Sequence, residues 1–353
     1  FDRQSPAGGQ WNSLYFTDRG HAGGLVFDFA KPEVRDFLIK NATFFLDEYR
    51  VDGFRYDQVS VIDHDGAPHG WRFCQDLTAT LHAHRPGALN HAEYWNVNPY
   101  VVKAAPDGAG FDTTLTDGLR IAIRDVIGNA SAPDERPLNM TGLARSLWPE
   151  GFREQWRFVQ GPENHDIVYN GREMRIARLG DPANPRSWFA RSRARVAMGL
   201  SLTAPGIPML FMGQEFLEDK QWSDDFVSHH DLLLHWAGLD RGDKQMLDHV
   251  RFTRELLEVR RHTPGLRGQG FRAVHAHDQN RVLAFHRWVE GEGHDVIVVV
   301  HLAPFNRFGY RIGFPGGGVW REVFNSDVYE NWVNPGVVGN GGLVVADPQP
   351  LHD

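Results

Sequence analysis

An α/β fold followed by a small all-β region is what the amino-acid sequence predicts, on three observations. Helical and strand-like periodicities alternate from about residue 32 to residue 262. Each strand-like run ends in a polar or glycine-rich loop, and after Thr263-Pro264-Gly265 the helical period stops. Alternation of the first kind favours parallel strands joined by helical crossovers, whereas the later texture favours antiparallel pairing.

The elements follow in order. Residues 33–49 place apolar side chains at 34, 37, 38, 42, 45, 46 and 49, a helical spacing with Pro32 at the first turn. Val51-Asp-Gly-Phe-Arg-Tyr-Asp57 comes after a very short turn and reads as a strand. A helix over about 71–84 leads through Pro86-Gly87 to the short strand Ala88-Leu-Asn-His-Ala-Glu93. The cycle recurs with a strand near Phe111, a helix near 117–127, a strand from Trp156 to Gln160 and a helix over 188–202. Gly206-Ile-Pro-Met-Leu-Phe-Met-Gly213 and an amphipathic helix over about 243–262 close the series. Beyond it, Arg281–Trp288 and Asp295–Leu302 are strand-like and separated by Gly291-Glu-Gly293.

Composition narrows the function. Lys plus Arg number 37 and Asp plus Glu 45, a net charge of −8, and a net-negative surface repels phosphate backbones, so nucleic acid is not an expected partner. No run approaches the roughly 18 to 20 apolar residues of a membrane span, so a membrane is not expected either. Cys74 is the single cysteine, which excludes an intramolecular disulfide and a cysteine-based zinc site. Nothing calls for an organic cofactor, and the spacing of His229, His230 and His235 is not that of a metal site; a solvated loop is the simpler expectation. No leader is legible at Phe1 and no disulfide is possible, so the cytoplasm is the expected compartment. Oligomeric state leaves no sequence signal.

Three acidic residues sit at the carboxyl ends of predicted strands: Asp57, Glu93 and Asp166. In a parallel α/β barrel those ends converge on one mouth, where catalysis is built. Each acid has a distinctive setting, Gly53-Phe-Arg-Tyr-Asp57, His91-Ala-Glu93 and Glu163-Asn-His-Asp166, with successive acids 36 and 73 positions apart. In that order and spacing the segments resemble three signatures of the α-amylase superfamily of glycoside hydrolases and transglycosylases. Pro205-Gly206-Ile-Pro208 followed by Phe211-Met-Gly-Gln-Glu-Phe216 is similar to its last barrel strand.

The resemblance implies a (β/α)8 barrel of the TIM type, with about the last five strands present, over residues 1–264. A small all-β sandwich domain would follow over 265–353. It implies Asp57 as nucleophile, Glu93 as general acid and then base, and Asp166 as a third acid favouring an oxocarbenium-like sugar ring. Those residue types suit a retaining mechanism, which needs a carboxylate and a carboxylic acid roughly 5 to 5.5 Å apart. Arg55, two residues before Asp57 and so on the same strand face, would keep that carboxylate ionised. Burial and neighbouring acids would favour the protonated form of Glu93. Asn164 and His165 are expected to contact sugar hydroxyls, Tyr94 and Trp95 either to stack on sugar rings or to pack in the wall, and Trp222 to line a sugar subsite.

The subgroup is read from two departures. Ser60 and Val61 occupy positions where many amylases carry a Lys-His pair. Phe285-His-Arg287, Val299–Leu302, Gly309–Gly313, Trp320–Asp327 and Gly339-Asn340 look similar to the closing β domain of 1,4-α-glucan branching enzymes. Against that, His165-Asp166-Ile167 replaces the His-Asp-Glu usual in branching enzymes. A branching-type transglycosylase acting on α-glucan is the reading, with an α-1,4-glucan hydrolase as alternative and a non-catalytic glucan-binding fragment behind both. The superfamily's first signature does not occur, which implies that the chain is the carboxyl-terminal part of a larger enzyme. Alone, such a part would leave a sheet edge and apolar helix faces uncovered and would tend to aggregate.

Overall fold

A computed structural model describes residues 13–21, 24–132, 134, 136–329, 339 and 341–349; Asn340 lies outside the described residues. The chain divides into two compact units, Phe1–Thr116 with Gly151–Val159, and Asp117–Glu150 with Gln160–Asp353.

The first unit opens with a hairpin, β1 (Phe16–His21) and β2 (Gly24–Phe27), which the sequence reading does not anticipate. Helix α1 (Pro32–Glu48) starts at a proline whose missing N–H has no helical partner to lose, and it buries Val34, Ala42 and Leu46. Phe37, Phe44 and Phe45 stay exposed on it, as does Tyr49 just past its end. After β3 (Gly53–Tyr56) comes α2 (Val59–His64), which the sequence hid because Val-Ser-Val-Ile is β-branched and too short for a helical period. Helix α3 (Gly70–His84), β4 (Leu89–Ala92) and β5 (Thr113–Leu115) complete the run before the second unit begins.

In the second unit α4 (Gly118–Ala130) and α5 (Met140–Ser146) precede β6 (Phe158–Gln160), whose first two residues belong to the first unit. Then follow α6 (Ile176–Gly180), α7 (Trp188–Thr203) and β7 (Ile207–Pro208). After α8 (Trp236–Asp240), helix α9 (Lys244–His262) starts at Asp243, whose side chain accepts from the N–H groups of Gln245 and Met246. It ends on Arg260, Arg261 and His262, cations placed favourably at the negative end of its dipole. One turn, α10 (Pro264–Arg267), leads into β8 (Gly270–His277), β9 (Val282–Trp288) and β10 (Val296–His301), and the chain closes with β11 (Gly318–Arg321) and β12 (Leu343–Ala346).

Within the first unit β3, β4, β5 and β6 are successive parallel neighbours, with Arg55 opposite His91 and Ala92 opposite Thr114. Their core is formed by Val59, Phe73, Leu77, Leu81, Ala92 and Phe111. Within the second unit the Met209 N–H, just past β7, donates to Gln160 O at the end of β6. The sheet β10-β9-β8 and the pair β11-β12 are antiparallel, as the sequence texture predicts. Leu283 and Phe285 of β9 share one core with Leu119 and Ile123 of α4 and Ala197 of α7.

Gly53 shows why its motif carries a glycine. A methyl group there would lie 2.1 Å from Leu89 O and 2.7 Å from Leu89 N, both backbone atoms that cannot give way. Gly53→Ala is therefore expected to push β3 off β4 and to destabilise by about 1–3 kcal/mol, read as a lower urea midpoint. An unchanged midpoint contradicts the steric account.

Candidate active site

Asp57 follows directly on β3, and Glu93 follows directly on β4. The parallel ladder carries past both strands: the Glu93 N–H donates to Tyr56 O (2.9 Å), and the Val59 N–H donates to Glu93 O (2.8 Å). Two residues far apart in sequence thus become neighbours through strand pairing. Arg55 joins them. One terminal nitrogen of its guanidinium contacts Asp57 Oδ1, and the other lies 2.8 Å from Glu93 Oε1. Both carboxyls therefore contact one planar group.

Their surroundings differ sharply. The Glu93 side chain is 1% exposed and that of Asp57 is 70% exposed. Glu93 Oε2 also accepts the Gln58 N–H (3.1 Å). Gln58 takes a left-handed backbone (φ 48°), a conformation costing a non-glycine residue about 1–3 kcal/mol when nothing compensates. It is the turn by which the chain leaves β3, passes Asp57 and presents that N–H to Glu93. Sequence reasoning placed Arg55 beside Asp57; that it also holds Glu93 depends on the register of β3 against β4 and had no sequence signal.

The same strands carry further polar pairs, one on each face of the sheet. His91 is hydrogen-bonded through Nδ1 to Thr113 Oγ1 (2.8 Å), and Tyr56 donates to Asn90 Oδ1 (3.0 Å). Burial, helped by the Arg55 cation, pushes the His91 imidazole down to about 4. Unfolded, it protonates near its ordinary 6.5. Between those values the unfolded chain binds the extra proton, so stability falls as pH drops from about 6.5 to about 4. The loss from this group is up to about 3 kcal/mol. Urea midpoints at pH 7 and pH 4.5 are expected to converge in His91→Gln relative to the parent chain; an equal pH slope in both contradicts the assignment.

The aromatic candidates beside Glu93 separate. Tyr94 is 3% exposed, donates its hydroxyl to Asp63 Oδ2 (2.7 Å), and packs edge-on against His64. Burial and the Asp63 hydrogen bond push the phenol up to about 12. A ring so enclosed presents no face for a sugar, so the stacking expectation is corrected to wall packing. Trp95 is half-buried.

In the second unit the loop after β6 carries the other candidates. Asn164 is buried, and its Oδ1 accepts the Ile167 N–H (2.9 Å). His165 and Asp166 are about half exposed, with His165 Nε2 3.4 Å from Asp166 Oδ2. Arg172 donates to the Asp166 carbonyl (3.0 Å) and stands 3.9 Å from its carboxylate. Trp222 belongs to the segment after β7. Its indole N–H donates to His165 O (2.6 Å), and its ring meets those of Tyr169 and Phe211 edge-on. The structure thus gathers Arg55, Asp57 and Glu93 in one unit, and Asn164, His165, Asp166 and Trp222 in the other. Among the described residues no group of three His, Cys, Asp or Glu side chains could hold a metal ion, and no helix is long and apolar enough to cross a membrane.

Proteins similar in sequence and in fold point one way. Residues 273–352 match the family of α-amylase C-terminal all-β domains. The chain is 32% identical to the 1,4-alpha-glucan branching enzyme GlgB of Cupriavidus pinatubonensis, over 93% of this chain and 44% of that protein. It is 30% identical to the enzyme of the same name from Aquifex aeolicus, over 93% and 52%. It therefore spans about half the length of the curated relatives it matches. In fold it is similar to the α-amylase of Geobacillus thermoleovorans solved with acarbose, with a TM-score of 0.58 and 21% identity, covering 80% of this chain and 56% of that one. The cyclic α-maltosyl-(1→6)-maltose hydrolase of Arthrobacter globiformis also has a TM-score of 0.58, at 19% identity, covering 82% and 58%. By sequence along nearly its whole length the chain is similar to 1,4-alpha-glucan branching enzymes, and in fold it is similar to an α-amylase and a related α-glucan hydrolase.

Proposed function

We propose that the protein containing this chain is a retaining transglycosylase of the 1,4-α-glucan branching type, with residues 1–264 as its catalytic part and 265–353 as a β domain. The observation that carries the chemistry is the Arg55 bridge between an exposed carboxylate and a buried one. Retention needs two such groups at short range in unlike environments. Asp57, open to solvent, attacks the anomeric carbon and forms the glycosyl ester, with Arg55 holding it in place. Glu93, screened from water, gives its proton to the departing glucan oxygen and later takes one from the acceptor hydroxyl. Asp166 supplies the third carboxylate, His165 and the Asn164 amide hydrogen-bond sugar hydroxyls, and Trp95 and Trp222 offer ring faces. What supports branching rather than hydrolysis is the similarity to branching enzymes over 93% of the chain, together with Ser60 and Val61 after the nucleophile.

Amylose tests this directly. Falling iodine colour at constant reducing ends is the expected result, since transfer conserves the number of chain ends. Rising reducing ends would mean a hydrolase, and no change in either would leave a glucan-binding protein.

A further inference from the structure

Between β6 and α6 the chain makes a long excursion, and its two ends are tied by one buried side chain. Glu163, 1% exposed, receives the Arg175 Nε–H at 2.7 Å on one oxygen and the Ile176 N–H on the other. The bond closes residues 163–176 into a ring that contains Asn164, His165 and Asp166. Arg175 is fully buried, and its remaining nitrogens leave that ring. One donates to Met212 O (3.0 Å) and another reaches Lys220 O (3.5 Å), while the guanidinium lies 5.2 Å from the centre of the Phe211 ring. Those acceptors belong to the segment after β7 that carries Trp222. Gln221 adds a second tie, donating to Arg172 O (2.9 Å) and Glu173 O (3.0 Å).

We infer that Arg175 is a positioning residue that locks the Asp166 loop and the Trp222 segment into one rigid body, an inference resting on the site reading given above. The planar fork makes this possible, because one cation can hold a carboxylate and two carbonyls in fixed directions. A lysine would preserve the charge and lose the fork. Arg175 does not touch substrate on this account; it acts through Asp166 and Trp222.

The test compares the parent protein with Arg175→Lys and with the milder Glu163→Gln. With amylose, kcat is expected to fall on the order of 10- to 100-fold, the cost of misplacing groups by a fraction of an ångström to an ångström. KM is expected to rise as well, because Trp222 shifts. Labelling with 5-fluorotryptophan, and assigning one fluorine resonance by Trp222→Phe, gives a readout independent of activity. That resonance is expected to move or broaden in both variants while thermal melts stay cooperative. Unchanged kcat, or a Trp222 resonance that stays put, overturns the inference. If the parent protein does not act on amylose, the functional reading fails and the fluorine resonance alone decides the positioning role. If Arg175→Lys does not fold, Glu163→Gln decides it by the same two measurements.

Discussion

Asp57→Asn is expected to lower amylose turnover at least roughly 10³-fold while leaving the fold intact. The amide cannot form the glycosyl ester, so the two-step path has no first step. Folding is spared because the side chain is mostly exposed and its one charged partner, Arg55, keeps Glu93. Glu93→Gln is expected to cost about 10²–10⁴-fold by a different route, the loss of proton donation to the leaving oxygen. An α-maltosyl fluoride separates the two roles, since fluoride departs without a proton. Glu93→Gln is expected to keep its burst of fluoride release, and Asp57→Asn to lose it. Full amylose activity in Asp57→Asn, or the reverse pattern with the fluoride, would remove these roles.

The second large effect is on stability. Arg55→Met takes away the cation beside a carboxylate that is 1% exposed. Removing the guanidinium leaves a buried carboxyl without its 2.8 Å donor and costs about 1–3 kcal/mol. The lower end is expected here, because Arg55 itself is 37% exposed and water screens part of the pair. Replacing both partners, Arg55→Met with Glu93→Gln, is expected to recover part of the loss, since the buried side chain then carries no ionisable group. Urea midpoints of the two single variants and the double give the coupling directly. Additive losses would mean that the 2.8 Å contact contributes nothing to folding.

Much of the fold was legible because local chemistry wrote it. Pro32 and the apolar spacing after it predicted α1 within two residues at each end, and the run 188–202 predicted α7 within one. Where local signals were short or ambiguous, reading failed. The α2 helix was hidden in a β-branched run, α5 covers only seven residues, and β2 of the β1–β2 hairpin has only four. Tyr94 shows the limit for the site. Its place directly after Glu93 suggested a sugar platform, yet burial is decided by what packs from α2, namely Asp63 and His64, some thirty residues earlier.

Residue type and spacing alone determined that acids end successive strands, that a cation sits two positions before the first of them, and that helix gives way to sheet near residue 264. These are properties of a stretch of chain and its period, and they survive without knowing any contact. Only the folded structure decided that Arg55 spans both Asp57 and Glu93, that Glu93 is dry while Asp57 is wet, and that Glu163 finds Arg175. Each of those depends on strand register or on a loop closing upon itself, and such pairings join residues whose separation along the chain carries no information about their distance in space.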